Sequence, residues 1–204
     1  MAISKKVKNS LNGASWVRKM FEEGEAMKKS YGEENVFDFS LGNPNLEPPE
    51  YLKNALKALA DRPIPGMHRY MQNSGYSETR TAIAEYLKEE SGLPFDEKHV
   101  VMTVGAAGGL NIVLKAILDE GEEVIVPSPY FMEFKFYIEN AGGHMRLVDT
   151  REDFSLDLSE IEKAIGAQTK AILINSPNNP TGVVYGQASL KKLGELLKRK
   201  SQEL

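Results

Sequence analysis

The feature that most constrains the fold is a regular alternation of short apolar runs and helix-like segments after residue 99. Four apolar runs predict strands, at 100–103, 123–126, 145–148 and 170–174. Four longer segments predict helices, at 107–118, 130–140, 158–165 and 187–200. Strands that alternate with helices are typical of an α/β fold, because parallel strands need crossover connections that cover both faces of the sheet. We therefore predict a mostly parallel, doubly wound sheet, and we expect a further strand after the last helix, so the fold is predicted to be incomplete.

The first part of the chain follows a different pattern. Residues 13–31 predict an amphipathic helix and residues 36–41 a short strand. A break rich in Gly, Asn and Pro follows at 42–49 and marks a candidate domain junction. Two more helices are predicted, at 49–60 and 78–90, with a long polar stretch between them that is typical of a functional loop.

Composition excludes several classes of protein. The net charge of -4 argues against a dedicated nucleic-acid binder, which usually presents a basic face. The absence of cysteine excludes disulfides and thiolate metal sites, and the three histidines share no metal-ligand spacing. No apolar run approaches the roughly 20 residues that cross a bilayer, and the N-terminus lacks the apolar core of a secretory signal. We therefore expect a cytoplasmic protein with no membrane or nucleic-acid partner and no metal site.

A turn rich in small residues follows the run at 100–103. Residues 103–110 read Thr-Val-Gly-Ala-Ala-Gly-Gly-Leu and lead into a predicted helix. The free N–H groups of a helix start attract phosphate, and small residues let a ligand approach the backbone. The spacing matches neither a Walker loop nor a dinucleotide fingerprint. By itself the turn fits close packing of helix on sheet about as well as it fits a phosphate site.

A second loop follows the apolar run at 170–174. Residues 176–182 read Ser-Pro-Asn-Asn-Pro-Thr-Gly, and they lie where a parallel sheet binds ligands, beyond the carboxyl end of a strand. The amide of Asn179 can both donate and accept hydrogen bonds. Two X-Pro bonds in one loop favour a cis peptide. A plain Asn, Pro and Gly turn is the alternative, although this ordered string at a strand end is uncommon.

The string Asn-Asn-Pro-Thr-Gly at 178–182 resembles the signature of class I/II aminotransferases, which are pyridoxal-phosphate (PLP) enzymes of fold type I. Three other segments resemble family motifs in the same order, namely Ser-Leu-Gly-Asn-Pro at 40–44, Tyr70 to Gly75 with Arg80, and Gly-Ala-Ala at 105–107. The position before Arg80 carries Thr79, where the family has Leu, and the phosphate turn lacks the Ser or Thr that it often carries. The resemblance covers nearly the whole chain.

The resemblance implies roles for individual residues. Gly105, Ala106 and Ala107 would hold the cofactor phosphate, with the N–H groups of the two alanines as donors. Asn179 would donate a hydrogen bond to the phenolic oxygen of the cofactor and lie near the substrate.

Three more roles follow from the resemblance. Tyr70 would reach the phosphate of the partner subunit in a homodimer, and Gly42 would lie beside the substrate carboxylate. The spacing from residues 141–142 selects Phe131 over Tyr130 as the aromatic that covers the pyridine ring, whereas Phe134 and Phe136 are expected to pack the helix on the sheet.

The resemblance also implies a division of the chain and a missing part. Residues 1–47 would form an N-terminal arm and a small-domain segment, and residues 48–204 part of the PLP-binding large domain, which ends before the Schiff-base lysine. No catalytic residue is therefore assigned. We expect the whole enzyme to transfer an amino group between an amino acid and a 2-oxo acid, and the 204-residue chain alone to be inactive. Two alternatives stay open: another fold-type-I PLP enzyme, such as a carbon–sulfur lyase or an aminocyclopropane-carboxylate synthase, and a non-catalytic phosphate-binding α/β domain.

Overall fold

The computed structural model describes residues 2–39, 42, 44, 46–62 and 64–203. The chain groups into two compact units, Met1–Arg69 and Tyr70–Leu204. This grouping reflects contacts within the chain and does not test the predicted domains 1–47 and 48–204, which stay a prediction. Among the described residues, no helix combines the length and the apolar character that a membrane span needs.

The first unit contains helix α1 (Lys5–Tyr31), a 3-10 helix (Glu33–Asn35) and helix α2 (Glu50–Asp61). Helix α1 begins before the predicted residue 13 because the Ser4 hydroxyl caps it, accepting a hydrogen bond from the Val7 N–H at 3.1 Å. The predicted strand at 36–41 is wrong over its described part, since residues 36–39 form no strand. A strand requires a hydrogen-bonded neighbour, and the described residues offer none there.

The second unit carries the sheet. Its elements are α3 (Ser77–Ser91), a 3-10 helix (Glu97–His99), α4 (Gly105–Ile117), β1 (Glu123–Ser128), α5 (Glu133–Ala141), β2 (His144–Asp149), α6 (Leu158–Ala164), β3 (Thr169–Ile172) and α7 (Gln187–Glu203). The three strands lie in the order β2-β1-β3, and both pairings are parallel. The predicted parallel α/β architecture is confirmed.

Side chains of β1 alternate between the two faces of the sheet, as the pleat requires. Val124 and Val126 join an apolar cluster with Leu114 of α4 and Ile138 of α5. Ile125 points the other way and packs with residues of α6 and α7, among them Ile161, Leu193 and Leu196. Helices therefore cover both faces, which confirms the doubly wound arrangement.

The predicted strand at 100–103 is wrong. Val100 has extended backbone angles, but residues 100–103 join no ladder with the described strands. The Met102 N–H instead donates to the Ser74 carbonyl at 2.9 Å. The apolar pattern predicted the extended backbone of Val100 correctly, whereas pairing depends on a neighbouring strand that a local pattern does not show.

Candidate cofactor site

The connections after β1 and β3 leave the sheet in opposite directions. The chain after β1 enters α5 on one face, and the chain after β3 leads to α7 on the other face. Because β1 and β3 are neighbours in the sheet, the place where their connections diverge is a topological switch point, at which α/β folds form a crevice. Crevices of this kind, at a switch point of a parallel sheet, are where open α/β folds bind ligands.

Helix α4 begins at the same end of the sheet. It packs along β1 through Leu110 and Leu114, and it joins β1 by a short connection, so the two run antiparallel. The 13 residues of α4 span about 20 Å, which equals the length of the six-residue strand β1 at about 20 Å. The first turn of α4 therefore lies level with the carboxyl end of β1.

The first turn of α4 is suited to an anion. Among the described residues no side chain caps this helix, and its first turn carries no acidic residue. Residues 103–107 are exposed, and the Gly105 N–H donates to the Thr103 carbonyl at 3.0 Å. Gly105 adopts φ 68°, which a side chain would strain, and the Thr103 hydroxyl donates to its carbonyl at 2.9 Å. An exposed, uncapped helix start with a positive dipole end fits a phosphate group.

The loop after β3 is held by its own side chains. Asn178 is 7% exposed, and its amide oxygen accepts from the Thr181 N–H at 3.2 Å and the Thr181 hydroxyl at 2.9 Å. The Asn179 N–H donates to the Asn175 side-chain oxygen at 2.8 Å. The peptide bonds before Pro177 and Pro180 are both cis, as the sequence favoured. The loop thus has a defined path set by Asn175 and Asn178.

Asn179 itself is exposed, and its side-chain amide makes no hydrogen bond with the described residues. The loop therefore fixes the backbone of Asn179 and leaves its amide available. This placement agrees with a ligand-facing role, which stays a prediction. The Ser176 hydroxyl accepts a hydrogen bond from the Tyr185 N–H at 3.0 Å, which connects the start of the loop to the chain that follows it. Burial raises the pKa of the Tyr185 side chain.

The aromatic residues after β1 separate into two groups. Phe134 is buried in the cluster of α4 and α5, which confirms its packing role, and Tyr130 packs against the same cluster. Phe131 is 37% exposed and meets Phe134 edge to face, with ring centroids 5.6 Å apart. The exposed ring at the carboxyl end of β1 is thus Phe131, the residue that the sequence selected for the cofactor ring; that role stays a prediction.

The remaining predicted site residues are Tyr70 and Gly42. The Tyr70 side chain is fully exposed in the loop before α3. Gly42 lies in the first unit, is exposed, and a Cβ added there would meet no atom within 4 Å. Of the predicted motif at 40–44, residues 40, 41 and 43 lie outside the described residues.

Comparison with known proteins identifies the family. Residues 34–202 match the family model of aminotransferase class I and II. The chain belongs to this family. Pyridoxal phosphate is the cofactor of the family.

Named relatives and solved structures agree with the family match. The chain is 38% identical over 164 residues to a probable aspartate/prephenate aminotransferase of Aquifex aeolicus, covering 79% of the chain and 41% of that protein. It is 34% identical over 198 residues to an aspartate aminotransferase of Pyrococcus abyssi, covering 96% of the chain and 48% of that protein. The crystal structure of an amino transferase from Eubacterium rectale matches with a TM-score of 0.93 at 36% identity, covering 100% of the chain and 52% of that structure. The chain therefore spans about half the length of the relatives that it matches.

The sequence did not reveal the residues that shape the Asn179 loop. Asn175 and Asn178 act through side-chain hydrogen bonds to backbone three to four residues away. The available signal was the tendency of Asn to bond its neighbouring backbone in turns, which would have pointed to both residues.

Proposed function

We propose that the chain supplies the phosphate-binding and ring-binding part of a PLP-dependent aminotransferase, which transfers an amino group between an amino acid and a 2-oxo acid. The observation that carries the proposal is the parallel strand order β2-β1-β3, from which we infer that the first turn of α4, the exposed Phe131 after β1 and the Asn179 loop after β3 share one end of the sheet. Because the chain spans 41% of its Aquifex relative, the activity is proposed for the whole enzyme.

Each segment has a distinct task in this proposal. The N–H groups of Ala106 and Ala107 bind the phosphate, because the start of α4 is uncapped and exposed. The amide of Asn179 donates to the phenolic oxygen of the ring and holds the negative charge there. The exposed ring of Phe131 stacks on the pyridine face, a contact worth about 0.5–1.5 kcal/mol beyond its buried area. Bound pyridoxal phosphate supplies an electron sink for the reacting Cα of the amino acid.

The proposal includes a homodimer and a cytoplasmic location. Tyr70 supports the dimer, since its fully exposed side chain is available to reach the phosphate of a partner subunit. A Cβ added at Gly42 would meet no atom of the described residues within 4 Å, which suits a backbone that approaches a substrate carboxylate. Sedimentation of the whole enzyme at micromolar concentration tests the dimer, and a purely monomeric protein would contradict it.

A matched pair of neighbouring asparagines tests the cofactor site. Asn179→Ala removes an amide with no partner among the described residues, so we expect the free energy of unfolding to change by less than about 0.5 kcal/mol while pyridoxal phosphate binds more weakly. Asn178→Ala removes a buried acceptor and leaves the Thr181 donors unpaired, so we expect a loss of about 1–3 kcal/mol in stability. Equal cofactor affinity in wild type and Asn179→Ala would contradict the assigned role.

The reaction is tested by product analysis. The names of the relatives make aspartate and aromatic amino acids the first donors to try, with a 2-oxo acid as acceptor. We expect the whole enzyme to form the new amino acid and 2-oxo acid in equal amounts, and the 204-residue chain alone to form neither. Release of ammonia or a thiol in place of transfer would favour a lyase and overturn the proposal.

A further inference from the structure

Arg80 is a buried cation that forms no ion pair with any described carboxylate. Its side chain lies in α3 and the residue is 8% exposed, yet no carboxylate of the described residues lies within ion-pair distance. The guanidinium instead donates to two neutral oxygens, the Glu97 carbonyl at 3.0 Å and the Gln72 side chain at 3.2 Å, and its buried Nε has no partner among the described residues. Burial of a charge is unfavourable unless its hydrogen bonds are made. Arginine suits this position because its guanidinium group can donate to two separate oxygens at once.

The two oxygens belong to two segments of the proposed cofactor site. Gln72 lies two residues after Tyr70. Glu97 precedes residues 100–103, which lead into the first turn of α4. Arg80 therefore holds from one helix both the Tyr70 segment and the approach to the phosphate turn.

Further contacts join the same two segments. The Ser74 carbonyl accepts from the Met102 N–H at 2.9 Å. Gly75 is buried at φ 99°, and a Cβ added there would come within 2.8 Å of the Met102 Cβ. The carboxylate of Glu97 accepts from the hydroxyl groups of Ser77 and Thr81, which fixes the Glu97 segment on α3. Residues of α3 therefore contact both the Tyr70 segment and the Glu97 segment, and Arg80 is the buried residue among them.

We infer that Arg80 is a positioning residue that fixes the Tyr70 segment relative to the first turn of α4. The inference rests on the proposed function and deepens it, because the two segments serve the phosphates of two subunits in the proposed dimer. Arg80 touches neither cofactor nor substrate in this account and acts through Gln72 and Glu97.

The test uses amide hydrogen exchange in the whole apo enzyme, followed by ligand binding. Arg80→Lys keeps the charge but lacks the fork that reaches both oxygens. We expect exchange at the hydrogen-bonded amides of Gly75 and Met102 to accelerate about tenfold or more, because both lie in segments that Arg80 holds, while β1 keeps its protection. Arg146→Lys is the matched control, because Arg146 is an exposed arginine on β2 and its replacement should change neither segment.

A second variant distinguishes a local loss of structure from unfolding of the whole protein. Gln72→Leu removes one of the two acceptors of Arg80 at an exposed position, so we expect faster exchange at the Gly75 amide with β1 unchanged. Gln72→Glu retains an acceptor for Arg80 and should keep wild-type exchange. Unchanged exchange in both Arg80→Lys and Gln72→Leu, or equal acceleration in β1, would overturn the inference.

The binding measurement separates this inference from the proposed function. Arg80→Lys should weaken pyridoxal phosphate several-fold and leave pyridoxal, which lacks the phosphate, unaffected. Equal loss for both ligands would overturn the positioning role at the phosphate turn. If the wild-type enzyme fails to prefer pyridoxal phosphate over pyridoxal, the proposed function fails, whereas the exchange result still judges the role of Arg80.

Discussion

A carboxylate introduced into the first turn of α4 gives a sharp test of the phosphate site. Ala107 is exposed in that turn, where an acidic residue is favourable to a helix by about 0.3–1 kcal/mol. Ala107→Asp should therefore keep or slightly raise the free energy of unfolding. The same carboxylate should repel a phosphate bound to the helix start, so stability and cofactor affinity are expected to move in opposite directions.

The size of the repulsion follows from the exposure of the site. Because Ala107 faces solvent, the effective dielectric constant is close to that of water. A unit charge about 5 Å from a phosphate of charge about -1.5 to -2 then gives roughly 1.2–1.7 kcal/mol. This corresponds to about a tenfold loss of affinity for pyridoxal phosphate, and it should shrink as salt is added.

Calorimetric titration of the apo enzyme measures the effect, and Ala107→Asn is the matched control because it has nearly the same shape without the charge. We expect Ala107→Asp to bind pyridoxal phosphate about tenfold more weakly than Ala107→Asn, and the two variants to bind pyridoxal equally. Equal affinity of both variants for pyridoxal phosphate, in samples with unchanged thermal midpoints, would refute a phosphate site at this helix start.

Two further predictions concern the core and the acid stability of the sheet. Ile125→Ala empties a fully buried position and should cost about 2–5 kcal/mol by denaturant unfolding, whereas Ile112→Ala, at a residue that is 54% exposed, should cost far less; equal costs would place the core elsewhere. The Asp119 N–H, and then Lys170, lower the pKa of Glu122 below its ordinary 4.5, so its stabilising effect is full above that pH and is lost as the pH falls below it. The difference in thermal midpoint between wild type and Glu122→Gln should thus be constant from pH 6 to 8 and shrink below about pH 4.5, and a difference that grows in acid would contradict this.

Local patterns predicted most of the second unit because its elements are defined by local periodicity. The segments at β1 and β2 and the helix behind Asp157 are apolar or amphipathic with clear ends, and they form within a few residues of their predicted bounds. The helix at α4 starts at Gly105 rather than at 107, so the glycine turn is itself the first turn of the helix. The strand at 100–103 failed because strand pairing is decided by neighbours far away in the sequence.

The sequence predicted the motifs of the candidate site but not the long-range contacts that hold these motifs in place. The Asn179 loop and the Phe131 position follow from the order of residues at strand ends, which a sequence displays. The contacts of Arg80 with Gln72 and Glu97 span 8 and 17 residues, and no local rule predicts them. Long-range side-chain contacts of this kind become visible only when the folded chain brings their segments together.

The central claim is that the first turn of α4 and the Asn179 loop bind the two ends of one phosphorylated pyridine. A crystal structure of the enzyme with pyridoxal phosphate measures this directly. We predict phosphate oxygens about 2.7–3.2 Å from the backbone nitrogens of Ala106 and Ala107, with the Asn179 amide at the same distance from the phenolic oxygen. A phosphate bound elsewhere on the sheet, or an Asn179 side chain turned away from the ring, would contradict it.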